Sequence, residues 1–141
     1  MRKEHNMKRK ITALSFFALF ASVLLLQGCS STVNYIGLAG NTYTYTGESA
    51  YGIENDPFTI SLNADGTFVY FESMFSSYMG IGEWSVKDNL LTLTENSEVC
   101  RGLKNSFRID DGNLIFMESS SDNFPKVTVK DGEIFTGDTT K

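Results

Sequence analysis

Two glutamates, Glu72 and Glu83, are the first candidates for acid–base chemistry in this sequence of 141 residues. Paired carboxylates perform general acid–base work, as in glycoside hydrolysis, when the fold brings them face to face, here across a hairpin. Apolar neighbours raise the pKa of such a carboxyl group by desolvation. The pair therefore permits a weak hydrolase. Exposed glutamates on alternating strands are the ordinary alternative in so acidic a chain, and we expect no catalytic residue.

Metal and nucleophile chemistry has few residues to draw on. His5 is the only histidine, near the start of the chain, so the remainder holds no Ser-His-Asp or Cys-His arrangement and no histidine-based zinc site. Met74, Met79 and Met117 are soft ligands of the kind that Cu(I) prefers, but without a cysteine pair or a histidine they indicate packing. Cys100 is interpreted as a small, partly buried apolar residue, with a reactive or intermolecular thiol as the alternative. We expect no metal and no cofactor.

The stretch from Tyr70 to Trp84 is dense in aromatic residues and methionine. Its middle should connect two strands, and the large side chains of a turn cannot all point inward. Either this loop closes one end of the fold, or it exposes an apolar patch that marks an interaction site. Trp84 is expected in the core, although it also belongs to this candidate surface. The candidate residues for binding a partner or ligand are Met74, Phe75, Tyr78, Met79 and Trp84.

An uncharged apolar run, Ile11–Leu26, follows the basic segment Met1–Lys10 and leads into Leu26-Gln27-Gly28-Cys29. A helix that spans a bilayer needs about 20 apolar residues, so this run is short for a permanent span and is typical of a signal peptide. Leucine three positions before Cys29 and glycine directly before it resemble the lipobox of bacterial lipoproteins. The alternative is an ordinary signal peptide or a short membrane helix that happens to end in Gly-Cys.

The lipoprotein resemblance implies cleavage before Cys29 and attachment of diacylglycerol to its thiol. It divides the chain into a signal peptide (1–28), a lipidated tether (29–37) and a folded domain (38–141). Because each buried methylene contributes about 0.8 kcal/mol, two or three acyl chains form a stable membrane anchor. The domain would then face out of the cytoplasm. It would sit on the outer face of the plasma membrane or, since Ser30 rather than aspartate follows Cys29, on the outer membrane.

The charge balance excludes one class of partner. Five of the 12 basic residues and one of the 17 acidic residues precede Cys29, so seven basic and 16 acidic residues follow, with a net charge of −9. Nucleic acids and anionic headgroups need lysine and arginine for neutralisation, and so acidic a domain repels them. We expect no nucleic-acid partner. Lipidation of Cys29 would also leave Cys100 without a partner for an internal disulfide.

From Leu38 onward the sequence alternates apolar and polar residues between turn signals, as in Phe58–Leu62 followed by the turn at Asp65-Gly66. The last two predicted strands are Lys126–Lys130 and Glu133–Thr136. Short strands with turns every 8 to 12 residues are typical of antiparallel sandwiches and small barrels. The sequence therefore predicts an all-β fold, a small antiparallel up-and-down barrel or sandwich of about eight strands, preceded by a signal helix.

The order of several short motifs resembles the lipocalin-like or META-type domains of bacterial envelopes. It is also similar to the N-terminal barrel of copper-resistance, surface-sensing outer-membrane lipoproteins. Those proteins carry a Cys-x-x-Cys pair, which this chain lacks, so their copper or redox function does not transfer. Lipocalins place Gly-x-Trp on the first strand, whereas here it lies near the middle. The motifs are Leu38-Ala39-Gly40, Ile60 to Phe68, Gly82-Glu83-Trp84, Leu91-Thr92-Leu93 and Leu114-Ile115-Phe116.

These features together predict a non-enzymatic, lipid-anchored binding protein of the bacterial envelope. It would engage an envelope protein or a small apolar ligand through the stretch Met74–Trp84. The alternative is an envelope inhibitor or immunity-type protein that blocks a secreted enzyme through its acidic surface. A filled barrel interior would favour a surface binder, and a hollow apolar interior would favour a ligand carrier.

Overall fold

A computed structural model describes residues 37–138 of the chain. The predicted signal peptide, Cys29 and all of the tether except its last residue lie outside this range. Among the described residues there are eight β-strands and one short 3-10 helix, Glu118–Ser120. The strands are β1 Thr42–Tyr45, β2 Phe58–Leu62, β3 Thr67–Phe71, β4 Gly80–Lys87, β5 Leu90–Glu95, β6 Lys104–Asp110, β7 Asn113–Phe116 and β8 Ile134–Gly137.

The strands form a closed barrel in which each strand pairs antiparallel with the next. The first and last strands also pair, with Tyr43 opposite Gly137 and Thr44 opposite Thr136. The predicted all-β, up-and-down antiparallel barrel of about eight strands is confirmed. Closure between β1 and β8 excludes the sandwich, because a sandwich would leave two separate sheets.

Side chains fill the interior of the barrel. Alternate residues of each strand point inward, as the period of two requires, and large aromatic rings dominate the inward rows. The Phe58 ring, for example, packs edge-on against Phe135 at 5.1 Å and tilts against Tyr70 at 5.6 Å. An eight-stranded barrel is just wide enough for side chains to fill it. The fully buried aromatic and aliphatic side chains are Tyr43, Phe58, Ile60, Leu62, Phe68, Tyr70, Leu91, Leu93, Phe107, Leu114 and Phe135.

The long β7–β8 connection supplies the plug for one end of the barrel. Phe124 is buried and lies 4.7 Å from the Phe58 ring and 5.5 Å from the Tyr70 ring, edge-on to both. Val127 and Val129 are buried as well. Lys126–Lys130 was predicted as a strand, and that prediction is wrong: the segment alternates in burial but forms no ladder with another strand. Its valines alternate because they pack into the barrel mouth.

The two ends of the barrel differ in their connections. The long-loop end carries the connections 46–57, 72–79, 96–103 and 117–133. The short-turn end carries 63–66, 88–89 and 111–112, together with the start of the described chain, where the Gly40 amide donates to the Leu62 carbonyl. Both residues of the 88–89 and 111–112 turns have positive φ, which matches the twist of tight hairpins.

Candidate binding surface

The β3–β4 connection holds four of the five candidate binding residues and sorts them into two groups. Met74, Phe75 and Met79 are 66%, 61% and 44% exposed, so they face solvent. Tyr78 turns inward, packs against the core and lies 6.2 Å from the Tyr70 ring. The loop therefore contributes one side chain to closing the barrel mouth and leaves three apolar side chains outside.

Trp84 lies at the other end of the barrel. Its backbone amide donates to the Gly66 carbonyl and its indole Nε1 donates to the Asn63 carbonyl at 3.0 Å, both in the β2–β3 turn. Its side chain is half-buried and packs against the core. Trp84 was expected in the core, and it packs against the core without being buried in it. The structure does not bring it together with Met74 and Phe75.

Two inward-facing glycines of β4 make room for aromatic rings. Gly80 lies opposite Tyr70 and Gly82 lies opposite Phe68 in the β3–β4 register. A Cβ atom on Gly80 would lie 2.1 Å from the Tyr70 ring, and one on Gly82 would lie 2.0 Å from the Thr94 carbonyl oxygen. Side chains at these positions are therefore excluded by contact, which is why glycine occupies them.

The exposed apolar residues continue onto the outer face of the β3–β4 hairpin. Val69 lies directly opposite Ile81, and their side chains point outward. Phe71 and Ile81 are both exposed. Cross-strand neighbours on one face of a hairpin lie about 5 Å apart, so these side chains form one stripe. The stripe leads along β3 and β4 to the tip that holds Met74 and Phe75.

Asp56 fixes the position of this loop. Its Oδ1 accepts the Met74 amide at 2.9 Å and its Oδ2 accepts the Ser49 hydroxyl at 3.1 Å. Burial acts to raise the pKa of Asp56, but hydrogen bonds from the Ser73 side chain, the Met74 amide and the Ser49 side chain outweigh it and lower the pKa. Asp56 is therefore a carboxylate at neutral pH that joins the β1–β2 and β3–β4 connections.

Hydroxyl groups within the same loop add further order. The Ser73 hydroxyl accepts the Phe75 amide at 3.0 Å, and the Ser76 hydroxyl accepts the Tyr78 amide at 3.0 Å. Such local bonds hold a backbone in a defined turn without helix or sheet. The exposed side chains of Met74 and Phe75 thus project from an ordered backbone.

Glu72 is a buried structural acid. It is 1% exposed, and its Oε2 accepts the amides of Lys126 and Val127 at 2.7 Å each, which holds the β7–β8 plug in place. Its Oε1 has no hydrogen-bond partner among the described residues. Burial raises the pKa of Glu72 above its usual value, against the lowering effect of the two amides and of Lys126.

Glu83 does not form a catalytic pair with Glu72. Glu83 is exposed on the outer face of β4 and lies opposite Thr67, five residues before Glu72 along β3. Five residues of strand correspond to roughly 16 Å, beyond the carboxylate separations that glycoside hydrolysis uses. The expectation that the two could face each other across the hairpin is wrong, because they lie at different heights and on different faces.

Glu95 is a second buried acid that the sequence reasoning missed. Its Oε2 accepts the Tyr70 hydroxyl at 2.7 Å, and its Oε1 accepts the hydroxyls of Tyr78 and Ser97. Burial and the neighbouring Glu95 raise the pKa of Tyr70, so this hydroxyl stays protonated and donates. The signal was present in the sequence, since Leu91, Leu93 and Glu95 share the inward phase of one strand.

The remaining candidates carry no site. Met117 follows β7, four strands around the barrel from β3, and does not belong to the loop of Met74 and Met79. Cys100 is half-buried and is not in a disulfide within the described residues. Over residues 37–138, no three His, Cys, Asp or Glu side chains are grouped so that they could hold a metal ion.

An open groove of about 770 Å³ borders the loop that Asp56 holds. It runs along the β1–β2 connection, and its walls include Thr46, Ser49, Ile53 and Asp56. Both polar and apolar groups line it, and it lies outside the filled barrel interior. The groove and the exposed apolar loop therefore share the Asp56 side of the long-loop end.

No known protein family, curated protein or solved structure matches this chain. Within the described range, no helix has the length and apolar character needed to cross a membrane.

Proposed function

We propose that this chain is a lipid-anchored, non-enzymatic binding protein of the bacterial envelope, and that it engages a protein partner through the β3–β4 connection. The observation that carries the proposal is the exposure of Met74, Phe75 and Met79 on a loop whose backbone is held by Asp56 and two serines. A backbone that is already ordered does not have to be ordered on binding, which lowers the entropic cost of association. Exposed apolar side chains are the kind of group that forms the core of an interface.

The filled barrel directs the proposal towards a surface partner. Aromatic side chains from six strands and the Phe124 plug occupy the interior. A carrier of small apolar molecules needs a concave apolar site that surrounds most of its ligand. A small apolar ligand would therefore bind outside the barrel, where the stripe and loop offer a surface suited to a protein.

The anchor side of the proposal rests on the lipobox at Leu26–Cys29. Cys29 precedes Gly37 by eight residues, and eight extended residues reach at most about 28 Å. The chain enters the barrel at the short-turn end, beside Leu62. A lipid on Cys29 would therefore tether the barrel through the end at which the described chain begins.

The anchor is tested by replacing Cys29 with alanine in the full chain. We expect the loss of metabolic labelling with palmitate and release of the protein from the membrane fraction. Retention of both label and membrane association would contradict the lipid anchor. A Gly28→Leu variant serves as an independent check. It replaces the small residue before Cys29 with a large one, so the signal peptide should not be cleaved.

The binding surface is tested by site-specific photo-crosslinking in cells. A photoreactive phenylalanine analogue replaces Phe75 in one strain and Asp110, exposed at the short-turn end, in a matched strain. We expect a discrete protein adduct from position 75 and none from position 110. Equal adducts from both positions, or none from position 75, would overturn the proposed surface.

A second candidate function is favoured by the net charge of −9 that follows Cys29. An envelope inhibitor or immunity-type protein could block a basic secreted enzyme through such a surface. Its distinguishing property is loss of enzyme activity on mixing, with an affinity that falls as salt screens the charges. Binding without inhibition would leave the first function in place.

A further inference from the structure

Positive charge is absent from one continuous half of the domain sequence. Between Ser30 and Val86 there is no lysine, arginine or histidine. This stretch includes β1 to β3, most of β4 and the connections 46–57 and 72–79. The basic residues of the long-loop end lie on the other half, at Arg101, Lys104, Lys126 and Lys130. The connections 46–57 and 72–79 therefore contribute no cation to the long-loop end. The plug does bring Lys126 beside Glu72, whose Oε2 accepts the Lys126 amide.

The same two connections carry exposed apolar residues. Tyr51 and Ile53 of the β1–β2 connection are exposed, as are Met74 and Phe75 of the β3–β4 connection. The Ser49 hydroxyl accepts the amides of Tyr51 and Ile53 and donates to Asp56, which accepts the Met74 amide. Ser49 and Asp56 therefore hold the backbones of both loops through one connected set of hydrogen bonds.

Exposed acids accompany these apolar residues. Glu48 and Glu54 belong to the same β1–β2 connection and are both exposed. We name the surface made by this connection and the β3–β4 tip the acidic-apolar face. Its members are Glu48, Tyr51, Ile53, Glu54, Met74 and Phe75.

We infer that the acidic-apolar face docks a cationic amphipathic segment of a partner protein. This inference rests on the proposed function and specifies its partner. The apolar side chains of the segment would pack on Phe75, Met74 and Ile53, and its lysines or arginines would lie near Glu48 and Glu54. Complementary potential speeds association and rejects acidic partners.

The inference is tested with two synthetic helical peptides of about 18 residues, or five turns. Both peptides have leucine and phenylalanine at the same positions. One carries lysine at every polar position, and the other carries glutamate there. Each is fluorescently labelled and titrated by anisotropy against the full chain in neutral phosphatidylcholine nanodiscs, with empty nanodiscs subtracted. We expect the lysine peptide to bind, the glutamate peptide not to bind, and the affinity to fall between about 0.05 and 0.3 M salt.

Three variants locate the contact. Phe75→Ser removes a large apolar contact residue of the face and should weaken binding at least about tenfold. Glu54→Lys should weaken it about three- to tenfold through local charge reversal. Asp110→Lys makes the same change in net charge at the short-turn end, so it should change affinity less than about twofold.

The outcomes separate this inference from the function it rests on. Equal weakening by Glu54→Lys and Asp110→Lys would mean attraction by net charge alone and would overturn the acidic-apolar face as the docking surface. Equal binding of both peptides, or of neither, would overturn the cationic partner. A partner crosslinked at position 75 in cells would still uphold the proposed function in each of these cases.

Discussion

The two ends of the barrel are ordered by different chemistry. At the short-turn end, asparagine, aspartate and glycine with positive φ make tight hairpins, and the turn residues themselves supply the order. At the long-loop end, carboxylates accept main-chain amides from other segments: Glu72 holds Lys126 and Val127, and Asp56 holds Met74. Further pairs of this kind are Asp122 with Lys104, Asp131 with Glu118, and Glu133 with Lys130.

This difference explains how one end can expose apolar residues and remain ordered. A loop that carries Met74 and Phe75 outward gains no stability from burying them. Its order comes instead from acids behind it, since charge-assisted hydrogen bonds are roughly twice as strong as neutral ones. The long-loop end can thus present an apolar surface without losing its backbone conformation, whereas the short turns have no room for one.

The largest effect on stability is expected from Phe124→Ala, which removes the plug of the long-loop end. Phe124 packs against the rings of Phe58, Tyr70 and Phe116, and truncation leaves a cavity among them. The free energy of unfolding should fall by about 3–5 kcal/mol, measured by urea denaturation. Val99, at the same end, is 81% exposed. Val99→Ala should therefore change the free energy of unfolding by less than about 0.5 kcal/mol. Equal stability of the two variants would contradict the plug.

The second effect compares two buried tyrosines. Tyr70 donates its hydroxyl to Glu95 at 2.7 Å, so Tyr70→Phe leaves that carboxylate oxygen unsatisfied. The unfolding free energy should fall by about 1–3 kcal/mol. The Tyr43 hydroxyl has Asn41 beside it but no hydrogen-bond partner in the described part of the chain. Tyr43→Phe should therefore be neutral or stabilising. A similar loss in both variants would show that removal of a buried hydroxyl, and not the Glu95 contact, decides stability.

A smaller effect depends on pH and has opposite signs at Glu72 and Asp65. Burial raises the folded-state pKa of Glu72 above its ordinary value of 4.5. Its contribution to stability is therefore present below about pH 4.5 and is lost as pH rises through the folded-state pKa. In Glu72→Gln, the amide oxygen can still accept the two main-chain amides. The variant does not lose this stability as pH rises, because glutamine does not ionise. The unfolding free energy of the variant minus that of the wild type should increase between pH 4 and pH 7.

Asp65 at the short-turn end gives the opposite sign. Hydrogen bonds from the Thr67 hydroxyl and amide lower its pKa below 3.8. Its contribution is present above about pH 3.8 and is lost as pH falls through the folded-state pKa. Asp65→Asn should therefore be less stable than the wild type at pH 7, with a gap that narrows below pH 4. Urea midpoints across this range measure both variants, and parallel pH profiles would contradict the opposite pKa shifts of Glu72 and Asp65.

The sequence predicts the short-turn end better than the long-loop end, for a physical reason. Alternation and Asp-Gly turns are local, so Phe58–Leu62 and the turn at Gly66, with φ of 86°, are confirmed directly. Which segment fills the barrel mouth depends on contacts between residues far apart in the chain. Val127 and Val129 alternate like a strand, yet they plug the mouth, where Glu72 accepts the Val127 amide.

In the candidate site, too, the sequence predicts the local features but not the contacts between residues far apart in the chain. The concentration of Met74, Phe75, Tyr78 and Met79 in one loop was visible in the sequence, but its separation into exposed and inward residues was not. That separation depends on Glu95, which accepts the Tyr78 hydroxyl from a strand two positions further around the barrel. Trp84 likewise follows the loop closely in sequence but lies at the far end, since an eight-residue strand carries it there.

The smallest effect on stability is expected from Phe75→Ser, and it separates the two groups within the β3–β4 connection. Phe75 is 61% exposed, so its removal should change the unfolding free energy by less than about 0.5 kcal/mol. Tyr78→Ser, three residues later, removes a ring from the core and a donor from Glu95, and should destabilise the protein clearly. Urea midpoints of both variants measure the contrast. If Phe75→Ser destabilises the protein as much as Tyr78→Ser, Phe75 contributes to packing rather than to a binding surface. That result would contradict the assignment of the long-loop end as the surface that binds a partner.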